Sequence, residues 1–299
     1  MRSALSILTK ISLILLVANF TYITLSSAGD GIRMKQVRYI EGSDDKEITE
    51  IVMKNNKMMI RELEPNSNFK AIFDLNTGKL TQINMKTKEY SVATPEDYFK
   101  FIQQITQKFK EEFEKQFADY PEEQRKHIED SMRKRGIAIP GEKPKPKQVK
   151  LEETNNTEKI ADYKSKEFKI FVNDNLEEII FTSNEVGFDK EIDLEKMSNY
   201  MTEMKKLSEN FEGSNAITDN EIQIYKKVYE SGFPMKTIDY SNPAVKTDKN
   251  EKPPKVIEVV VEVTKGGVSD EEIETGNLKN NGFKEIQLAD FLKASIPGQ

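Results

Sequence analysis

Apolar and polar residues alternate with a period near two through most of the first third of the chain. From Ile32 onward, IRMKQVRYI and EITEIVMKNNKMMIREL read as successive strands, with Asn55-Asn56 placed to turn at positive φ. FKAIFDLNTGKLTQINMKTKEY follows as a second hairpin, its turn written in Asn76, Thr77 and Gly78. The alternation is imperfect, as in a sheet partly covered on both faces. Met34, Met53, Met58, Met59 and Met85 read as adaptable core filling.

The period then lengthens to that of a helix. Thr94 is an N-cap, Pro95 takes the first helical position and Glu96 and Asp97 supply acids to the first turn. Tyr98, Ile102, Ile105, Phe109, Phe113, Phe117 and Tyr120 recur at three- and four-residue spacing, giving one strongly apolar face. Pro121 interrupts this pattern and opens a second helix, PEEQRKHIEDSMRKRG, ended by Gly136. The helical segment 95–136 must cover something apolar. Either it packs on the protein's own sheet, with Ile102, Ile105, Phe109, Phe113 and Phe117 as a lid, or it meets a partner. Residues 139–150, IPGEKPKPKQVK, form a Pro/Lys linker inside the domain.

Strand patterning resumes in EKIADYKSKEFKIFVNDNLEEIIFTS, residues 158–183, which reads as two strands around a polar turn. Phe168, Ile170 and Val172 alternate with polar residues, Asn173-Asp174-Asn175 turns, and Leu176 to Thr182 returns. Asp193 caps one helix, and Thr218 with Glu221 forms a capping box for another. GFPMKTIDY reads as a strand. KVIEVVVEVT has the cleanest period of two, with Ile257, Val259, Val261 and Val263 on one face and Glu258, Val260 and Glu262 on a mostly wet one. The sum is an α+β domain: a large antiparallel sheet whose helices gather on one side.

The N-terminus has a different character. Arg2 and Lys10 precede the uncharged stretch Ile11–Leu25, and Ser26 and Ala28 occupy the small-residue positions of a cleavage site. Residues 1–28 are therefore expected to be a signal peptide cleaved after Ala28, leaving residues 29–299 as a single exported domain, periplasmic or secreted. Residues Ile11–Leu25 fall short of the roughly 20 apolar residues of a spanning helix, which favours cleavage over an anchor, and nothing beyond them approaches that length, so the mature chain is not expected to span a membrane.

Composition removes much chemistry. The chain of 299 residues has no cysteine and one histidine, His127, which lies among charges on a helix. This inventory offers neither a disulfide framework nor a His/Cys metal site, and no catalytic residues or cofactor are expected. A net charge of −6 argues against nucleic acid as a partner. Acid pairs such as Asp44-Asp45 and Glu271-Glu272 sit in polar segments and read as solvated surface, with nothing to suggest a buried carboxylate of raised pKa.

Several segments together resemble a known family. TKEYSVATPEDYF, YPEEQRKHIEDSM, TEKIADYKSKEFKIFV and GFPMK, in that order, are similar to a family of exported bacterial proteins of unknown function in the LolA-like (periplasmic lipoprotein carrier) superfamily. The resemblance runs from about Gly31 to Leu292. Asp162 stands where that family often has Gly, and Ser165 where it often has Cys. The resemblance implies a curved, incompletely closed antiparallel sheet with helices over its concave face and an apolar cavity between. It implies no catalytic residues. Phe168, Ile170, Val172, Ile257, Val259, Val261 and Val263 are then the candidate walls for a hydrophobic ligand, a lipid or the lipid of a lipidated protein. The alternative is an interaction module that binds another envelope protein through the helices.

Overall fold

A computed structural model describes residues 30–64, 67–117, 120–134, 147–208, 218–240 and 254–294. Its strands are β1 (Ile32–Ile40), β2 (Lys46–Lys54), β3 (Lys57–Glu62), β4 (Phe69–Asp74), β5 (Lys79–Asn84), β6 (Glu89–Ala93), β7 (Val149–Ile160), β8 (Tyr163–Val172), β9 (Asn175–Ser183), β10 (Phe233–Asp239), β11 (Val256–Lys265) and β12 (Lys284–Glu285). Its helices are α1 (Pro95–Phe117), α2 (Glu122–Lys134), α3 (Leu194–Ser208), α4 (Asp219–Glu230), α5 (Asp270–Ile273) and α6 (Leu288–Ala294). Ala28, Gly136 and residues 139–146 of the expected linker lie outside the described residues, whereas Val149 and Lys150 already belong to β7. Among the described residues no helix is long and apolar enough to cross a membrane.

All twelve strands join one sheet in the order β12-β6-β5-β4-β3-β2-β1-β11-β10-β9-β8-β7. Every pairing is antiparallel except the short β12–β6 ladder. The edges β12 and β7 do not pair, so the sheet is open. It is nonetheless curled: Lys236 Nζ on β10 reaches Glu158 Oε2 on β7 at 2.8 Å, across two intervening strands. The fold is α+β, a large antiparallel sheet that does not close.

Local chemistry fixes the hairpins. Asn55 and Asn56 (φ 52° and 64°) and Asn173 and Asp174 (φ 50° and 65°) both turn in the left-handed region, the geometry that matches strand twist and that Asn and Asp tolerate. Ala161 and Asp162 do the same (φ 47° and 71°). Residues 158–183 thus contain two turns rather than one, and Ala161 hides the first because its side chain carries no turn signal. Asp162 keeps the backbone that glycine would have supplied. The helix caps follow the sequence: Asp97 and Thr94 exchange hydrogen bonds, and Thr218 and Glu221 form a capping box.

The N-terminal half of the sheet is buried on both faces. One face presents Ile32, Met34, Ile51, Met53, Phe73 and Leu80 to Tyr98 of α1, Met197 and Tyr200 of α3 and Phe291 of α6. The other presents Val52, Met59, Ile72 and Ile83 to Val268, Ile273, Leu278 and Phe283. Helices α1, α3, α4 and α6 gather on the first face, and the second cover is the four-residue α5 with the segment around it. Charge anchors it: Arg33 pairs with both Glu50 and Glu272, and Lys54 pairs with Asp270. Burial on both faces is why alternation is blurred in this half.

Among the described residues, the strand ladder that joins the two halves of the sheet is β1 with β11, strands from opposite ends of the chain. Met34, fully buried, sits opposite Val263 in that ladder. Met34→Ala is expected to cost about 2–5 kcal/mol. Urea unfolding followed by circular dichroism should keep a single transition, shifted to lower urea; two separate transitions would show that the halves do not depend on this seam.

Candidate functional site

Register places the candidate wall residues on different faces. Phe168 opposes Ile180, Ile180 opposes Thr237 and Thr237 opposes Glu258, so Phe168 shares its face with Glu258 and not with Ile257 or Val259. Phe168, Ile170 and Val172 are brought together, but they pack against Ile224 and Val228 of α4 side chain to side chain. On β11 the ladder to β1 slips between Gln36↔Val260 and Lys35↔Glu262. The slip ends the period of two: Val263 turns to the Met34 face while Val261 is left 51% exposed. Val260, expected to be wet, is buried. The seven residues therefore do not form one wall.

The lid residues are also divided. Tyr98 is buried and Phe101 packs on the core, so the first two turns of α1 hold the helix to the body. Ile102 is half-buried and Ile105 is 50% exposed. Phe109, Phe113 and Phe117 lie along α1, and their side chains are outside the described set. His127 is exposed on α2.

Sequence patterning missed the polar groups on the inner faces. Glu178, Asp239 and Glu258 share one face of β9, β10 and β11. Tyr225 of α4 donates its hydroxyl to Glu178 Oε2 at 2.7 Å, and Arg38 Nε donates to Glu258 Oε1 at 3.1 Å. Burial, reinforced by the neighbouring carboxylates, pushes Glu178 up to about 7 against the opposing hydrogen bond from Tyr225. Burial likewise pushes Glu258 up to about 7 against the attraction of Arg38. The expectation that no carboxylate is so raised is therefore corrected. A Glu on a strand looks the same in sequence whether that strand is covered by a helix or by water.

The described side chains include no group of three or more His, Cys, Asp or Glu able to hold a metal ion. Clefts of about 720, 550 and 590 Å³ open elsewhere on the described surface, and neither Glu178 nor Glu258 lines them.

A second set of polar atoms lies beneath α1. Gln82 of β5 and Ser91 of β6 stand directly opposite each other on the face that carries Leu80 and Ala93. Gln82 Oε1, Ser91 Oγ and the hydroxyl of Tyr98 are all shut from solvent without a hydrogen-bond partner. Burial pushes the Tyr98 hydroxyl far above its usual range.

The raised pair fixes a pH response. The ordinary carboxyl value is 4.5, so between about 4.5 and 7 the folded protein holds protons that the unfolded chain releases. Stability contributed by this pair is therefore present at low pH and lost as pH rises through that window. The urea midpoint should fall between about pH 5 and about pH 7.5, and Glu178→Gln with Glu258→Gln should flatten the fall. An unchanged slope in the double variant would remove these two groups as its cause.

No protein-family model and no curated protein sequence matches the chain. Solved structures resemble it distantly. PNGF-II aligns with a TM-score of 0.38 and 10% identity over 90% of this chain and 33% of its own. A chain of the Pseudomonas aeruginosa MucA/MucB complex gives 0.35 and 8% over 83% and 56%. An outer membrane lipoprotein-sorting protein domain from Vibrio parahaemolyticus gives 0.27 and 6% over 83% and 91%. This chain thus spans about a third of the first and just over half of the second. Likeness at these scores carries no argument about activity.

Proposed function

We propose that the protein is a non-enzymatic, exported binding protein that holds a hydrophobic ligand, a lipid or acyl chain, between α1 and the sheet face formed by β4, β5 and β6. One observation carries this reading: Gln82 Oε1, Ser91 Oγ and the Tyr98 hydroxyl are buried without partners in an otherwise apolar layer. Each such group costs about 1–3 kcal/mol if nothing satisfies it. An amphiphile supplies both an apolar chain for the layer and a polar head for these atoms. The layer is also deformable. Met34, Met53 and Met58 from β1 to β3 and Met197 and Met201 from α3 adjoin it in the same apolar cluster, and unbranched thioethers repack around ligands of differing shape. The anchoring of α1 through Tyr98 and Phe101, with Ile105 half in solvent, leaves the helix able to lift. Export rests on the leader, with cleavage after Ala28.

The test is native mass spectrometry of residues 29–299, purified gently from the compartment of export. A second mass peak is expected, lost on denaturation, with a lipid in the organic extract. Gln82→Leu with Ser91→Ala should weaken retention of the polar head while raising thermal stability. A bare protein mass that persists after incubation with total envelope lipid would overturn the reading and direct crosslinking to α1 and α2 as a protein-binding surface.

A further inference from the structure

The binding layer beneath α1 has a mouth. A cleft of about 550 Å³ opens between the first turns of α1, Val92 of β6 and the start of α6. Phe101 and Leu288 stand in its wall and also in the apolar cluster that forms the layer, so the two spaces adjoin. Val92 and Asp97 of the cleft are the sequence neighbours of Ser91 and Tyr98. The charged residues of the wall are Asp97, Lys100 and Glu285, and each is already engaged. Asp97 Oδ2 accepts the N–H of Thr94 at 2.9 Å and its hydroxyl at 2.7 Å. Lys100 pairs with Glu96 at 2.8 Å, and Glu285 pairs with Lys279 at 2.7 Å. Gln104 and Gln287 complete the polar part of the wall with carboxamides, which both donate and accept hydrogen bonds.

The partnerless atoms below the mouth set a second condition. Gln82 Oε1 only accepts, so it requires a donor from the ligand. Carboxylates and fully ionised phosphates carry acceptors alone and cannot meet it. An ammonium group donates, but its buried charge demands a counter-ion, and the carboxylates of the mouth are taken. Burial keeps Tyr98 as a hydroxyl and Ser91 supplies another, so each of these can donate or accept. Ligand hydroxyls match the whole set, donating to Gln82 and exchanging bonds with Ser91 and Tyr98. We propose that the layer selects an amphiphile whose head is uncharged and carries hydroxyl groups, as a glycerol ester or a glycoside does. The apolar chain lies in the layer and the head on its mouth side. This specificity rests on the binding layer proposed above.

Displacement of the uncharged fluorophore N-phenyl-1-naphthylamine from the exported protein tests this at neutral pH, with competitors of one chain length kept below their aggregation limits. Monolauroylglycerol or dodecyl glucoside should displace it at concentrations about tenfold lower than laurate, dodecyl phosphate, dodecylamine or methyl laurate. The stronger of the two identifies the head as glycerol or sugar. In Gln82→Leu with Ser91→Ala, the ratio between the better hydroxylated ligand and methyl laurate should fall to about one. Both ligands meet the same variant, so a change in its stability does not mimic that result. Laurate, dodecyl phosphate or dodecylamine acting at concentrations equal to or below those of both hydroxylated ligands would overturn the specificity and leave the binding layer standing. An advantage over methyl laurate that survives in the variant would do the same. Failure of the protein to take up the fluorophore or any of these amphiphiles would overturn the binding layer itself, and the specificity with it.

Discussion

The pairing of β1 with β11 is the constraint on which the rest of the molecule depends. β1 to β6 form by hairpins between neighbours in sequence, and so do β7 to β9. Only the seam between the two ends of the chain makes these meanders one sheet. Its closure costs far more chain entropy than any hairpin, so it must be held by well-buried contacts. Met34 and Val260 provide them, and Arg38 and Lys35 pair with Glu258 and Glu262 along the same ladder. The slip in register within the seam puts both Val260 and Val263 on the face that carries Met34.

An open sheet of this size leaves two broad faces to cover, and the chain does so unevenly. The N-terminal half is covered on one face by α1, α3 and α6 and on the other by α5 and the segment around it. The C-terminal half receives α4 on one face and curls so that its edge strand approaches β10. Where cover and sheet are both apolar, as around Phe168 and Val228, packing is complete. Where polar side chains fall under the cover, the fold carries strain of an electrostatic kind. Glu178 and Glu258 relieve it by holding their protons, whereas Gln82, Ser91 and Tyr98 have no comparable route.

Glu191 shows how one side chain gathers distant parts of a fold. Its carboxylate holds the start of β1, and its carbonyl holds the turn between β2 and β3. Asp193 beside it donates its backbone N–H to Asn56 Oδ1 and caps α3 with its own carboxylate. A single short segment therefore ties a strand, a hairpin tip and a helix to one end of the sheet.

The sequence by itself determined the elements, because their causes are local. Asn55-Asn56, Asn76-Thr77-Gly78 and Asn173-Asp174 set hairpins by backbone preference, Thr94 and Thr218 set helix starts by capping, and apolar periodicity set the α+β class. Ala161 escaped because a turn imposed by its flanking strands needs no turn residue. Tertiary structure alone decided which face each strand buries and hence where a site lies. A register slip in the β1–β11 ladder sent Val261 to solvent and Val263 to the core, and a helix from elsewhere in the chain placed Tyr225 over Glu178. Such outcomes depend on which distant segments meet, and period and propensity hold no record of that.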